Sequence, residues 1–175
     1  MAYQRGVFWG VVPFTPAAPF TVKFVRNWEE YATVSDLSRA IREQDVAGDF
    51  PFEVRGKMRP VLALTEPSTE LREITALRLA NITRRVRDRL LTREEEQSIR
   101  SGEHPYLFPL DNAAVRNLGS TPTYDLYAVN VDSPVTLHQS AVATRPVGEV
   151  SEATFAAICE RYIEALGLPR PAPEA

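Results

Sequence analysis

The residues best suited to chemistry lie at Arg59-Pro60-Val61-Leu62-Ala63-Leu64, where an arginine stands directly before an apolar run. The proline ring sets its own φ and pushes the preceding residue toward extended geometry, so Arg59 is aimed at the mouth of the strand that follows. A guanidinium there can neutralise an anionic ligand such as a phosphate and stabilise charge that builds up in a transition state, because its planar fork of donors stays protonated. The competing reading is an arginine paired with an acid at a strand edge. Arg55-Gly56-Lys57 brings two more cations to the same approach.

A second candidate is Thr83, at the end of Ala80-Asn81-Ile82-Thr83. Its hydroxyl can donate to a phosphate oxygen, or it can be spent on a backbone group. It runs straight into Arg84-Arg85-Val86-Arg87-Asp88-Arg89. In an extended chain Arg85, Arg87 and Arg89 would face one way and meet successive phosphates. In a helix the same residues would form a solvated face with ion pairs to Glu94, Glu95 and Glu96. His138, in Thr136-Leu137-His138-Gln139-Ser140, can shuttle a proton or simply end a strand. His104 precedes a proline and has less to recommend it. Cys159 falls on an apolar helix face and reads as an inert thiol. One cysteine and two scattered histidines give neither a disulfide within the chain nor a zinc-like spacing. No metal and no cofactor are expected.

Several short strands must position these groups. Residues 6–12 read as the first, from their Val, Phe and Trp content, and stop at Pro13. Residues 13–34 read mainly as loop, with one extended piece around Val22-Lys23-Phe24-Val25. A short helix follows, capped by Ser35 or Asp36, with Leu37, Ala40 and Ile41 on one face and Gly48 beyond its end. The stretch 59–65 is almost wholly apolar, as in a strand covered on both faces. Residues 73–83 read as a strand, with a helix as the rival. Thr92-Arg93-Glu94-Glu95 has the capping-box pattern and Gly102 can end the helix it starts. Strands resume at 106–108, 124–129 and 135–137. A last helix over 152–166 presents Phe155, Ile158, Cys159, Tyr162, Ile163 and Leu166 at helical spacing. The tail 169–175 is too rich in proline to continue it and is expected to be mobile.

At 175 residues the chain is expected to form one domain, 1–168, with a core that needs no disulfide or metal. The net charge of −3 argues against a protein that coats polyanions, but the charge is unevenly spread. Between residues 78 and 93 six arginines face a single acid, Asp88. The apolar runs are short, and the N-terminus lacks the features of a signal peptide, so a cytoplasmic protein without a membrane segment is expected.

Three segments together resemble the MazF/PemK family of toxin endoribonucleases. The hexad from Arg59 is similar to the family's R-P-V-L-V-V strand. Arg5-Gly6-Val7-Phe8-Trp9-Gly10 is similar to its opening R-G-D-V-W-W strand, with valine in place of aspartate. Arg145-Pro146-Val147-Gly148-Glu149-Val150-Ser151 leads into the final helix as the family's I-G-x-L-S/T segment does. Residues 13–54 and 84–104 have no clear counterpart. The resemblance implies a mixed α+β, mainly β fold, an SH3-like small barrel of the MazF/PemK/CcdB kind, with a C-terminal helix and a helical insertion at 13–54 between its first two strands. It implies a metal-independent endoribonuclease of a type II toxin-antitoxin system that cleaves single-stranded RNA by attack of a ribose 2′-hydroxyl. The matching positions, Arg59 and Thr83, would be catalytic and His138 would lie at the RNA groove, while the cations Arg55, Lys57, Arg84, Arg85 and Arg87 are expected from their charge to hold RNA. It also implies a homodimer and a cognate antitoxin, and an insertion that borders the groove. The alternative keeps the fold without the chemistry: a protein that binds nucleic acid or a protein partner, including a gyrase-directed poison.

Overall fold

Val7 and Phe8 are both fully buried although they are neighbours in the chain, which requires a strand with a core on each face. They belong to β1 (Gly6–Pro13) of a computed structural model that describes residues 3–13, 22–26, 30–34, 56–115, 118 and 125–168. The chain divides into two compact units, one of residues 13–57 and one of residues 1–12 and 58–175.

In the smaller unit, β2 (Val22–Arg26) pairs antiparallel with β3 (Glu30–Val34), from Val22 opposite Val34 to Arg26 opposite Glu30. The extended piece expected around Val22 is therefore a hairpin arm. Its partner lies in a stretch read as loop, and the short spacing between two alternating segments was the available signal. The helix expected to start at Ser35 or Asp36 and to end before Gly48, and the tail 169–175, lie outside the described residues.

The larger unit is built on β4 (Gly56–Ala63), β5 (Glu73–Asn81), β6 (Leu107–Leu110), β7 (Tyr127–His138) and β8 (Gly148–Glu149), which join β1 in a six-stranded sheet of order β6-β7-β5-β4-β1-β8. Strands dominate, as expected, and the sheet is open, with β6 and β8 at its edges. The pairings are antiparallel: Val61 faces Arg78 across β4 and β5, Glu73 faces His138 across β5 and β7, and Gly6 faces Glu149 across β1 and β8. The rivalry between strand and helix over 73–83 resolves as strand up to Asn81. Its buried residues serve both faces, with Ile74 and Ala76 in one cluster, Leu77 and Leu79 in another and Ala80 in a third.

The two strands expected at 124–129 and 135–137 form one. The residues between them, Asp132-Ser133-Pro134 included, belong to β7. The register slips there: two steps on β5, Leu77 to Leu79, lie against five on β7, Pro134 to Val129. Such an irregularity bends the strand, and the four residues of β6 pair with Tyr127–Asn130, before it.

Among the described residues three α-helices complete the unit: α1 (Ile82–Arg87), α2 (Arg93–Arg100) and α3 (Glu152–Ala165). Thr92 and Glu95 form the expected capping box at the start of α2, with Thr92 Oγ1 accepting from the Glu95 N–H at 3.1 Å and Glu95 Oε2 accepting from the Thr92 N–H at 2.7 Å. The bond from the Thr92 N–H, and next the Thr92 side chain, hold the Glu95 carboxyl below its ordinary pKa. Ser151 caps α3 by accepting from the Thr154 N–H at 3.1 Å. Ile158 of α3 is fully buried against Val7, Leu62 and Val129, with Phe155, Cys159 and Tyr162 half-buried around it. The expected apolar stripe thus covers one sheet face, although its last member, Leu166, is 46% exposed.

Candidate nucleic-acid interface

Pro60 lacks the N–H that a ladder needs, and pairing of β4 with β5 covers only Val61–Ala63 against Ala76–Arg78. Arg59 precedes that paired stretch. It is exposed and makes no ion pair or side-chain hydrogen bond among the described residues. The strand-edge pairing weighed for it is therefore not what the structure holds. Lys57 is likewise exposed on β4, and Arg55 lies outside the described residues.

Because β4 and β5 are antiparallel, the start of β4 lies level with the end of β5, where Asn81, Ile82 and Thr83 follow one another. This junction is tied to the segment before β7 by three bonds. The Ile82 N–H donates to Leu126 O at 2.7 Å, Asn81 Nδ2 donates to Asp125 Oδ2 at 2.8 Å, and Thr83 Oγ1 accepts from the Leu126 N–H at 2.9 Å. Thr83 is thus bonded to backbone, but to a distant segment rather than its own. Its oxygen is engaged as an acceptor and its O–H hydrogen remains available to donate. The clasp fixes the hydroxyl at the sheet end that carries Arg59. Neither Asn81 nor Asp125 stood out in the sequence, although an asparagine before a helical start is a capping signal.

The arginine run corrects the extended reading: Arg84, Arg85 and Arg87 are on α1, not on a strand. Asn81 starts that helix by accepting from the Arg84 N–H at 2.7 Å, a local bond that competes with continuing the ladder. The alternate facing of Arg85, Arg87 and Arg89 therefore does not hold. Nor do the arginines pair with Glu94, Glu95 or Glu96. Asp88 takes that part, with Arg84 Nε and Arg87 Nε each 3.4 Å from one of its carboxylate oxygens. Glu96 instead lies under two arginines of its own neighbourhood, 2.8 Å from Arg100 Nη2 and 2.9 Å from Arg93 Nη1. The Arg100 bond, helped by Arg93, holds its carboxyl below the ordinary value.

His138 stands apart from this group. It faces Glu73, at the start of β5, whereas Thr83 follows the end of that strand. The structure brings Arg59, Thr83 and the α1 arginines to one end of the sheet and leaves His138 at the other. Its Nδ1 accepts from the Ser140 N–H at 3.2 Å and lies 2.8 Å from Ser140 Oγ, a local cap. His104 Nδ1 similarly accepts from the Tyr106 and Leu107 N–H groups, at 3.2 and 3.1 Å. Burial pushes the Cys159 thiol up, away from nucleophilic use.

A cleft of about 360 Å³ lies at the start of α3, lined by Arg5, Asp111, Glu149, Ser151 and Thr154. The Arg5 N–H donates to Ala63 O, which places the cleft at the opposite end of β4 from Arg59. Arg5 is already paired with Glu149 at 3.0 Å. Among the described residues, no group of three or more His, Cys, Asp or Glu could hold a metal ion, and no helix is long and apolar enough to cross a membrane.

No family model matches the chain, and no curated protein does. Among solved structures, the chain is similar to an endoribonuclease in complex with its cognate antitoxin from Mycobacterial species, at 16% identity and a TM-score of 0.39 over 90% of this chain and 100% of that one.

Proposed function

We propose that the protein is a toxin-like endoribonuclease of a type II toxin-antitoxin system, cleaving single-stranded RNA without a metal on a small barrel of the SH3 type. The observation that carries this reading is Arg59, exposed and unpaired among the described residues at the end of the sheet that also holds Thr83 and the α1 arginines. The likeness of its hexad to the MazF/PemK strand supplies the reaction class.

In that reaction a ribose 2′-oxygen bonds to the adjacent phosphorus while the bond from phosphorus to the 5′-oxygen breaks. The 2′ proton is lost and the leaving 5′-oxygen gains one, so the products are a cyclic phosphate and a free 5′-hydroxyl. Arg59 would neutralise the charge that grows on the non-bridging oxygens, as a preorganised donor does, and would assist proton transfer to the leaving oxygen. Thr83 would donate its remaining O–H to a phosphate oxygen. Lys57, Arg84, Arg85 and Arg87 would hold flanking phosphates, with Arg55 as a further cation on the approach. His138 would serve only RNA that reaches the far end of β5. A second copy of the chain and an antitoxin with a disordered acidic or apolar segment complete the reading.

The test is incubation of the purified protein with a long unstructured RNA in EDTA. Cleavage leaving cyclic phosphate ends is expected, with a loss of at least 100-fold in Arg59→Ala, on the order of one lost electrostatic donor, and little change in melting temperature. Cleavage that persists in Arg59→Ala, or none by the wild type on varied sequences, would sink the assignment. RNA binding without cleavage would favour the non-catalytic form of this fold.

A further inference from the structure

Among the described residues of the larger unit, the three α-helices end with the same backbone pattern. After α2, Gly102 has φ 76° and donates to Ile99 O at 3.0 Å, while Glu103 donates to Ser98 O at 2.9 Å. After α3, Gly167 has φ 67° and donates to Glu164 O at 2.9 Å, while Leu168 donates to Ile163 O at 3.2 Å. After α1, Arg89 has φ 58° and donates to Val86 O at 3.0 Å, while Leu90 donates to Arg85 O at 2.8 Å. These paired bonds are the Schellman motif, which needs a left-handed residue and normally uses glycine. Two of the ends obey that preference. The third places an arginine there, in a conformation that disfavours any side chain with a Cβ.

The residue before Arg89 is equally out of place. Asp88 is the C-cap of α1, beside the carbonyl end of the helix dipole, where a carboxylate is the wrong sign. Two adjacent residues thus go against local preference at the end of the most basic helix, and at neither of the other ends. Breaches of local preference of this kind are expected where function competes with stability.

Asp88 and Arg89 have one property in common, their relation to the arginines. Asp88 engages Arg84 through Oδ2 and Arg87 through Oδ1, each through Nε alone and each at 3.4 Å, at the long end for a hydrogen bond. The Arg84 and Arg87 side chains are 70% and 73% exposed, so the remaining donors of both forks stay open to solvent. Arg85 and Arg89 are exposed and have no ion pair among the described residues. An RNA phosphate offers the same acceptor chemistry as the Asp88 carboxylate, with two non-bridging oxygens.

We propose that Asp88 is a built-in competitor for RNA phosphate: it occupies Arg84 and Arg87 in the free protein and is displaced when a single-stranded backbone first meets Arg85 and Arg89. This rests on the RNA reading above and adds its regulation. The free pair gives a weak first contact, and the held pair is released only to a ligand that can replace the carboxylate. The arrangement lowers affinity for stray polyanions and sets a threshold for engagement.

The probe is a 12-nucleotide 2′-O-methyl oligouridylate, which keeps the phosphates and lacks the attacking hydroxyl, titrated into the wild type and Asp88→Asn. Asparagine preserves the shape of the cap. Exposed pairs of this kind are weak, so the variant should bind about 3- to 10-fold tighter. The gain should fall below about 2-fold when Arg84→Ala and Arg87→Ala are already present, since coupled residues fail to add. An equal gain in that background would show a general field effect and overturn the proposal. So would unchanged binding by Asp88→Asn, which would leave the RNA reading intact. Absence of binding by both wild type and Asp88→Asn would overturn both.

Discussion

Replacing Arg89 separates backbone strain from charge. Arg89→Gly and Arg89→Ala both remove the guanidinium, but only alanine keeps the cost of holding a Cβ at φ 58°. That cost is about 1–2 kcal/mol for an L-residue. Glycine gives back roughly 0.5–1 kcal/mol through the greater freedom of its unfolded chain. Arg89→Gly should therefore be more stable than Arg89→Ala by about 0.5–1 kcal/mol, which is on the order of 1–4 °C in melting temperature for a chain of this size. Relative to wild type, both lose a cation beside the helix C-terminus, worth about 0.3–1 kcal/mol. The glycine variant should accordingly melt near the wild type and the alanine variant below it. RNA binding should follow the opposite logic. Both variants lose the same phosphate contact, so the slope of log affinity against log salt should flatten by about 0.7 in each. Thermal melts by circular dichroism and binding titrations at several salt concentrations read the two quantities separately. Gly102→Ala is the internal control, because an added Cβ there meets nothing within 4 Å and changes only the backbone preference. An alanine variant as stable as the glycine variant would refute the strain argument. Unchanged salt slopes would refute the role of Arg89 in contacting phosphate.

The carboxyl of Glu96 is held below its ordinary pKa first by the Arg100 bond, so its stabilisation is complete above the usual carboxylate range and is lost as pH falls through the lowered folded value. Glu96→Gln should lower the melting temperature at neutral pH, with the gap to wild type closing on acidification; a gap that stays constant through the acid titration would contradict the assignment. Gly148→Ala would place a Cβ 1.7 Å from Ala114 O, a backbone atom with little room to yield. Its cost should reach or exceed the upper part of the roughly 1–3 kcal/mol range for overpacking, and a variant that melts like wild type would refute the close approach of Gly148 to Ala114.

Local chemistry determined much of this molecule from sequence alone. The capping box at Thr92 and Glu95, the stop at Gly102, the stripe from Phe155 to Tyr162 and the doubly covered strand from Val61 are each written in residues that touch one another along the chain. So is the extended backbone of Arg59 in β4, which the proline after it favours. What was not legible depends on partners far away in sequence. Ile82 to Arg87 alternate and branch in ways that suit a strand, and they turn helical because Asn81 caps the new helix while Leu126 takes the Ile82 and Thr83 bonds across a separation of more than forty residues. Pro134 looks like the end of a strand, and β7 passes through it because the slip in register against β5 absorbs the residues before it. The gathering of Arg59 with Thr83, and the separation of His138 from both, follow from antiparallel register alone. Register is a relation between strands, and no stretch of either strand states it.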